Sequence, residues 1–486
     1  MRLDKLLQDI YVGEIKAPFE RIDISSISCD SRKVSKGDMF VALKGASFDG
    51  DDFVMEAVDK GAAVVIINPD SKFSRIGNTD GCYLVVDDAK DFLHKTVRRL
   101  FGNPSRQVKT VGITGTNGKT TITYLIEAIL LEDQKACGVI GTVNCRGNNS
   151  LISSTQTTPD FVDNQKFLAD LQQWNIPYCV MEVSSHALTQ DRVFGINFCA
   201  AIFTNLTSDH LDYHKTREHY FASKARLFTS LDSEATAVIN IDDIYGQQLC
   251  SMTKAKIVTY GIKQKADVSA SKIRSNITGS QFALICREGE IGIKTRFIGT
   301  FNIYNILAAA SFCLSQNISL AVIAKGIERL TGVPGRLEHV DQGQDFSVFI
   351  DYAHTEDALK NVLTAIRQVS HSKVILVFGC GGNRDTSKRL LMGRVTSELA
   401  DFSIVTSDNP RNEDPQLIID QIVEGILKDN YKVVINRKEA IEQALDMAQK
   451  GDIVLIAGKG HETAQICGDQ KIDFNERQII KEHLTC

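Results

Sequence analysis

The sequence predicts three α/β domains. A small N-terminal one spans residues 1–105, a central one with a mostly parallel sheet around a phosphate loop spans 106–335, and a C-terminal Rossmann-like one spans 336–486. Three observations carry this expectation. β-Branched-rich runs alternate with helix-period stretches along the chain. A Gly-Thr-Asn-Gly-Lys-Thr-Thr loop, residues 115–121, joins a strand to a helix. Gly102-Asn103-Pro104-Ser105 and Gly332-Val333-Pro334-Gly335-Arg336 have linker chemistry where the pattern restarts.

At 486 residues the chain exceeds one ordinary core. Its composition is globular, 43% hydrophobic and 24% charged with eight prolines and no low-complexity tract. A net charge of −5 argues against a general nucleic-acid or membrane-surface role, so an anionic substrate has to be held by local basic residues. Met1-Arg2-Leu3-Asp4-Lys5 carries an acid and opens no apolar leader, and no apolar run approaches the roughly 20 residues of a spanning helix. A soluble, cytoplasmic protein is expected. The twelve cysteines show no C-x-x-C spacing, and several (Cys199, Cys286, Cys313) sit in apolar runs, as reduced core thiols do.

In the first domain, strand-like runs at Met39–Leu43, Ala62–Ile67 and Cys82–Val86 alternate with helical stretches at Asp52–Lys60 and Ala89–Phe101. Cys29-Asp30-Ser31-Arg32-Lys33 reads first as a turn, with a ligand pocket as the alternative. The second domain opens with a strand from Val108 to Ile113, the loop Thr114 to Gly118, and a helix from Lys119 to Leu131. Loop amides and the helix N-terminus suit a phosphate, Lys119 can neutralise its charge, and the Thr120 hydroxyl can ligate Mg²⁺. Strands follow at Tyr178–Val183, Cys199–Thr204, Ala235–Ile241 and Lys256–Tyr260, with period-two hairpin stretches around Gln281–Ile285 and Glu290–Ile298.

Two strand ends carry Glu182 and His210, an acid and an imidazole that can complete a Mg²⁺ shell with Thr120 and phosphate oxygens; capping roles are the alternative. Lys224, in the helix Glu218–Phe228, reads by itself as a solvated lysine. Phe301-Asn302-Ile303-Tyr304-Asn305 begins a helix whose asparagines face a base or cap it. The third domain has strands at Val348–Asp351, Val374–Phe378, Phe402–Thr406, Lys432–Ile435 and Ile453–Ala457. Their ends carry Asp351-Tyr352-Ala353-His354, Gly379–Asp385, Asp408-Asn409-Pro410-Arg411 and Gly458-Lys459-Gly460-His461-Glu462. The Gly-rich stretch does not spell a dinucleotide fingerprint, so the edge reads as a pocket for a polar, zwitterionic or acidic molecule, with Arg384 and Arg411 as carboxylate forks.

Jointly, Gly115–Thr121, Glu182-Val183-Ser184-Ser185-His186, Asn205–His214, Gly335-Arg336 and Asp351–Thr355 resemble the Mur ligases of peptidoglycan synthesis, in order and spacing over most of the chain. The resemblance implies ATP and Mg²⁺ as cofactors and an acyl phosphate formed on a UDP-N-acetylmuramoyl dipeptide, which an incoming amine attacks. It assigns Gly115, Thr116, Asn117, Gly118, Lys119, Thr120, Thr121, Asn302, Arg336 and Asp351 to ATP, and Thr120, Glu182, His210 and Lys224 to metal. Lys224 does so as a carbamate, which reverses the solvated reading, and Lys119, Lys224 and His210 are the implied catalytic residues. For the UDP-linked substrate it points to Ser31, Thr157, Thr158, Ser184, Gln190 and Arg192. For the amino acid it points to Arg384, Asp408, Asn409, Pro410, Arg411, Gly458 and Glu462. Asp408-Asn409-Pro410-Arg411 is similar to the signature of members that add diaminopimelate, whose second carboxylate suits an arginine. Ala46 and Ser47 stand where relatives often have His and Gln near the uridine, and Pro159 where some have Gly. The resemblance implies a cytoplasmic monomer with small-molecule substrates and neither nucleic acid nor membrane as partner. A lysine-adding or folylpolyglutamate-type ligase on the same scaffold, and a P-loop regulatory ATPase with a partner-binding third domain, are the alternatives.

Overall fold

A computed structural model describes residues 1–11, 21–45, 48–74, 82–148, 150–153, 156–207 and 209–485. Ala46, Ser47 and Ser208 of the Asn205–His214 motif lie outside the described residues. The chain forms two compact units. The smaller comprises Met1–Thr110, Thr158–Cys179 and Ala187–Asn197, and the larger Val111–Thr157, Val180–His186 and Phe198–Cys486.

In the smaller unit, β1 (Ile27–Ser28), β2 (Met39–Val41), β3 (Val64–Ile67) and β4 (Cys82–Val85) pair in that order, all parallel. β3 is apolar at every position because both faces are covered. Val64 and Ile66 meet Leu6 and Phe92, whereas Val65 and Ile67 meet Phe40 and Val54. The helix Ala89–Phe101 starts where the Asp88 carboxylate accepts from the Lys90 and Asp91 amides and stops at Gly102, whose φ is 72°. Phe161 and Val162, from the helix Phe161–Gln173, pack into the same core. That burial draws a later stretch of chain into the unit. Cys29–Lys33 forms the expected tight turn, a 3₁₀ segment Ser31–Lys33 capped by Asp30.

The larger unit has β5 (Lys109–Thr114), β6 (Cys137–Ile140), β7 (Asn144–Gly147), β8 (Ser150–Ser153), β9 (Tyr178–Glu182), β10 (Phe198–Phe203), β11 (Thr236–Asn240), β12 (Lys256–Gly261), β13 (Val268–Asn276), β14 (Gly279–Cys286) and β15 (Gly289–Thr295). Among the described residues they form one sheet in the order β15-β14-β13-β12-β11-β10-β5-β9-β6-β7-β8. β10 to β13 pair in parallel, and antiparallel hairpins extend both ends. The β6–β8 extension has no counterpart in the sequence reading, because its strands are only four residues each and carry no sustained alternation. Val183 N donates to Ile113 O and Thr204 N to Thr114 O, so the ends of β9 and β10 flank the loop after β5.

A second sheet of this unit runs β16 (Glu338–Val340), β17 (Ser347–Asp351), β21 (Ile453–Ala457), β18 (Val374–Phe378), β19 (Phe402–Val405) and β20 (Tyr431–Val433), antiparallel only at the β16 edge. Strand alternation feeds two cores. Phe349, Leu376 and Leu455 point to helices Glu356–Val369 and Ser387–Leu399, while Ile350, Val377 and Ile456 point to helices Arg437–Met447 and Glu476–Thr485. With both faces dry, polar residues are left to the strand ends. The hairpin of β22 (Ala464–Cys467) and β23 (Gln470–Asp473) was not legible beforehand, since β23 is exposed throughout and shows no apolar alternation. Among the described residues no helix is long and apolar enough to cross a membrane.

Candidate active site

The loop after β5 is shaped by its glycines. Gly115 has φ 143° and a Cβ there would lie 1.9 Å from Thr204 Oγ1; Gly118 has φ 92° and a Cβ would lie 2.3 Å from Asn305 Oδ1. The loop is tied to the end of β10, since Thr116 N donates to Asn205 O at 2.9 Å and Asn117 N to Asn205 Oδ1 at 3.0 Å. Lys119, the first residue of the helix Lys119–Glu132, turns its Nζ back to Gly115 O (2.9 Å) and Thr116 O (2.8 Å). Burial pushes its ammonium below the ordinary lysine value, against the opposing pull of Glu182 and Asp209.

Thr120 is the junction of the site. Its hydroxyl donates to Glu182 Oε2 at 3.0 Å and accepts from Arg336 Nη2 at 3.0 Å. Glu182, buried at the end of β9, also accepts from the Thr142 hydroxyl (2.9 Å) and amide (2.8 Å). Thr142 was missed by the sequence reading. Its signal was the Gly-Thr pair just past the apolar Val139-Ile140, and a Cβ at Gly141 would come within 2.5 Å of Glu182 Oε1. Asp209 and His210 leave the end of β10, with 3.4 Å between His210 Nε2 and Asp209 Oδ2. Burial raises the Asp209 carboxyl, but His210, His354, Lys119 and Lys388 outweigh it and hold it below the usual range. Burial, aided by Lys224 and Lys119, brings the His210 imidazole down to about 4 despite Asp209.

Lys224 is buried in the helix Arg217–Thr229. Its Nζ donates to Gly115 O at 2.9 Å and lies 4.4 Å from the centroid of the Tyr220 ring. Burial first, then Lys119, hold its ammonium well below the ordinary value. Solvated it is not.

Arg336 follows Gly335, whose φ is 64°, and stacks on the Tyr352 ring at 4.5 Å while reaching Thr120. Asp351, at the end of β17, accepts from the amides of Leu337 (2.5 Å) and Ala353 (2.7 Å). Asp357 accepts from Asn117 Nδ2 and Thr207 Oγ1, both at 3.0 Å, and so fastens the loop to the helix Glu356–Val369. Asn302, buried, donates to Ile298 O and accepts from Asn305. Lys119, Thr120, Glu182, His210, Asn302, Arg336 and Asp351 line one cavity of about 480 Å³. Lys224 lies behind its wall.

Three family models match the chain: Mur ligase family, catalytic domain over residues 23–99; Mur ligase middle domain over 113–313; and Mur ligase, glutamate ligase domain over 335–460. The UDP-N-acetylmuramoyl-L-alanyl-D-glutamate–2,6-diaminopimelate ligase of Clostridium tetani is 42% identical over 484 residues, 99% of each chain. The chain belongs to the Mur ligase family. The ligase of the same name from Geobacillus kaustophilus is 42% identical over 94% of each chain. A solved structure with that name superposes with a TM-score of 0.67 at 32% identity, covering 100% of this chain and 99% of the other. At 22% identity and a TM-score of 0.68, the UDP-N-acetylmuramoylalanyl-D-glutamyl-2,6-diaminopimelate–D-alanyl-D-alanyl ligase of Acinetobacter baumannii shares the fold over 94% of each chain. This Mur ligase is an ATP-dependent, amide-forming enzyme with the three-domain architecture of its family.

The remaining expected residues of the Mur ligase fall in two groups. In the smaller unit, Arg192 Nε and Nη2 donate to Gln190 Oε1, and its Nη1 donates to Thr158 O at 2.9 Å. Ser31 Oγ there donates to Glu56 Oε2 at 2.7 Å. In the larger unit, Thr157 accepts from the Thr142 hydroxyl at 3.2 Å, and Ser184 lies just past β9. At the edge of the second sheet, Arg411 has φ 52° and its Nη1 donates to Gly382 O at 2.8 Å. Burial and the neighbouring Arg384 lower its pKa. Asp408, Asn409 and Pro410 are buried beside it, Arg384 is exposed, and Gly458 (φ 117°) leaves room for Asp408, whose Oδ2 would lie 2.6 Å from a Cβ.

Asp351 supplies a pH test of the hinge. Burial outweighs Arg336 and two amides and raises its carboxyl from 3.8 to about 6. Between those values the fold retains a proton that the unfolded chain has lost. The stability this contributes is complete below pH about 4 and lost as pH rises through 6. Denaturant unfolding of wild type and Asp351→Asn between pH 4 and 7 is expected to show their difference shrinking by roughly 2–3 kcal/mol as pH rises. A pH-independent difference contradicts it.

Proposed function

We propose that this Mur ligase joins meso-2,6-diaminopimelate to UDP-N-acetylmuramoyl-L-alanyl-D-glutamate, converting ATP to ADP and phosphate, as a cytoplasmic monomer. The observation that carries the reading is the lining of one cavity by Lys119, Thr120, Glu182, His210, Arg336 and Asp351. The substrate assignment draws on the name borne by relatives 42% identical over nearly the whole chain. In this reading residues 1–105 hold the UDP end through Ser31, residues 106–335 carry ATP and the reacting carboxylate, and 336–486 hold the amino acid.

The donor set fits Mg²⁺. The hydroxyl of Thr120 and the carboxylate of Glu182, 3.0 Å apart, are hard oxygens, and Mg²⁺ characteristically takes few protein ligands beside phosphate and water. His210 and a carbamate on Lys224 would complete the protein's share, and the bound ion would neutralise phosphate charge. The neutral amine is the form that adds carbon dioxide, and burial, which holds the Lys224 ammonium well below its ordinary value, favours it.

The substrate carboxylate attacks the terminal phosphorus of ATP. A C–O–P linkage forms, the bond to the β-phosphate oxygen breaks, and ADP leaves. Lys119 and Arg336 meet the charge that builds on the transferring group. The amine then attacks the acyl carbon, the C–N bond forms and phosphate departs. Asn117 and Thr207, held by Asp357, keep the loop against the third domain and limit water around the acyl phosphate. Arg192 meets an anionic group of the UDP-linked substrate. Arg411 and Arg384 receive the distal carboxylate of diaminopimelate, and lysine, which lacks it, would leave them unpaired.

Diaminopimelate is expected to give the higher kcat/KM in competition with lysine, and Arg411→Ala is expected to raise KM for diaminopimelate about tenfold or more with little change for ATP. Higher kcat/KM for lysine, or equal effects on both substrates of the variant, refutes the assignment. Lys224→Ala is expected to be inactive and partly restored by a small added carboxylate, as measured by phosphate release. Full activity without rescue removes the carbamate.

A further inference from the structure

Lys459 is fully buried, and no step above uses it. It follows β21 in a turn where Gly458 and Gly460 have φ of 117° and 56°. Its Nζ donates to Asn409 Oδ1 and to Glu462 Oε2, each at 2.9 Å. Asn409 Nδ2 donates to the same Glu462 oxygen at 2.9 Å, and Ile466 N donates to Asn409 Oδ1 at 2.9 Å. The three side chains form a closed triangle. Glu462 Oε2 thus receives two donors, while Oε1 carries no hydrogen bond among the described residues, on a side chain that is 31% exposed.

A buried ammonium persists only with a charged or strongly polar partner, and the same bond restricts the carboxylate it meets. An unbound Glu side chain samples several rotamers; one tied at Oε2 by two donors presents Oε1 in one direction. Lys459 and Asn409 follow the C-terminal ends of two parallel strands on one sheet edge, so their bond links the turn after β21 to the loop after β19. Lys459 is too deep to touch a substrate.

We infer that Lys459 is a positioning residue for the amine substrate: it fixes Glu462 so that Oε1 faces the incoming ammonium. The inference rests on the amino-acid pocket proposed above.

Steady-state kinetics of the full chain carrying Lys459→Met, Glu462→Gln or both tests it. Lys459→Met is expected to raise KM for the amine about tenfold or more, with KM for ATP and for the UDP-linked dipeptide changed less than about twofold. The double variant is expected to be no worse than Glu462→Gln alone, because both changes remove one interaction. Comparable losses toward all three substrates, or multiplied losses in the double variant, overturn it. If Lys459→Met does not fold, Lys459→Gln keeps a polar group in the slot and is expected to give the same split; an unchanged KM for the amine overturns the inference. The parameter is read on whichever amine the wild type accepts, so a preference for lysine overturns the diaminopimelate assignment and leaves this test standing.

Discussion

The Thr120 hydroxyl, bonded to Glu182 and to Arg336 at 3.0 Å each, joins three parts of the chain that lie far apart in sequence. Thr120 comes from the first turn after the phosphate loop, Glu182 from the end of β9, and Arg336 from the hinge before the second sheet. Each is fixed by its own local logic: a helix start, a strand end and a left-handed glycine. Breaking the junction would leave a buried carboxylate and a half-buried guanidinium short of partners, and such groups are costly to strand. The cavity exists because the three meet.

Around that junction the charges are arranged in opposition. Lys119 and Lys224 are both depressed by burial, and Lys224 is depressed further by Lys119, while Asp209 is kept ionised by the cations and imidazoles about it. The mutual repulsion of Lys119 and Lys224 is what a bound polyanion would relieve, restoring the favourable charge of both lysines. Asp357 adds a mechanical element, since it accepts from Asn117 and Thr207 and so makes the loop's position depend on the second sheet's first helix.

Much of this was legible in the sequence because strand ends in dry sheets concentrate polar groups. β17, β19 and β21 have no exposed face for Asp351, Asp408 or Glu462, so those residues gather just past the strand ends. Glu182 and His210 were found the same way, and family membership removes the regulatory-ATPase alternative. Other features were not legible. Thr142 follows a short strand with little periodicity, and Asp357 looks like an ordinary acidic residue in a helix's first turn. Lys224 read as solvated by helix position alone, since the side chain's burial depends on the loop carbonyl of Gly115 more than a hundred residues earlier in the chain. Discontinuity was hidden as well: Phe161 and Val162 join the first core through tertiary packing that local patterns do not encode.

The central claim is that this junction serves phosphoryl transfer to a substrate carboxylate before the amine arrives. The most direct measurement is isotope transfer. UDP-linked dipeptide labelled with ¹⁸O in its free carboxylate is turned over with ATP and the amine, and the released phosphate is analysed by mass spectrometry. The account predicts one labelled oxygen in the phosphate, carried across when the acyl phosphate breaks. Phosphate without label, with the departing carboxylate oxygen found in water instead, would contradict it.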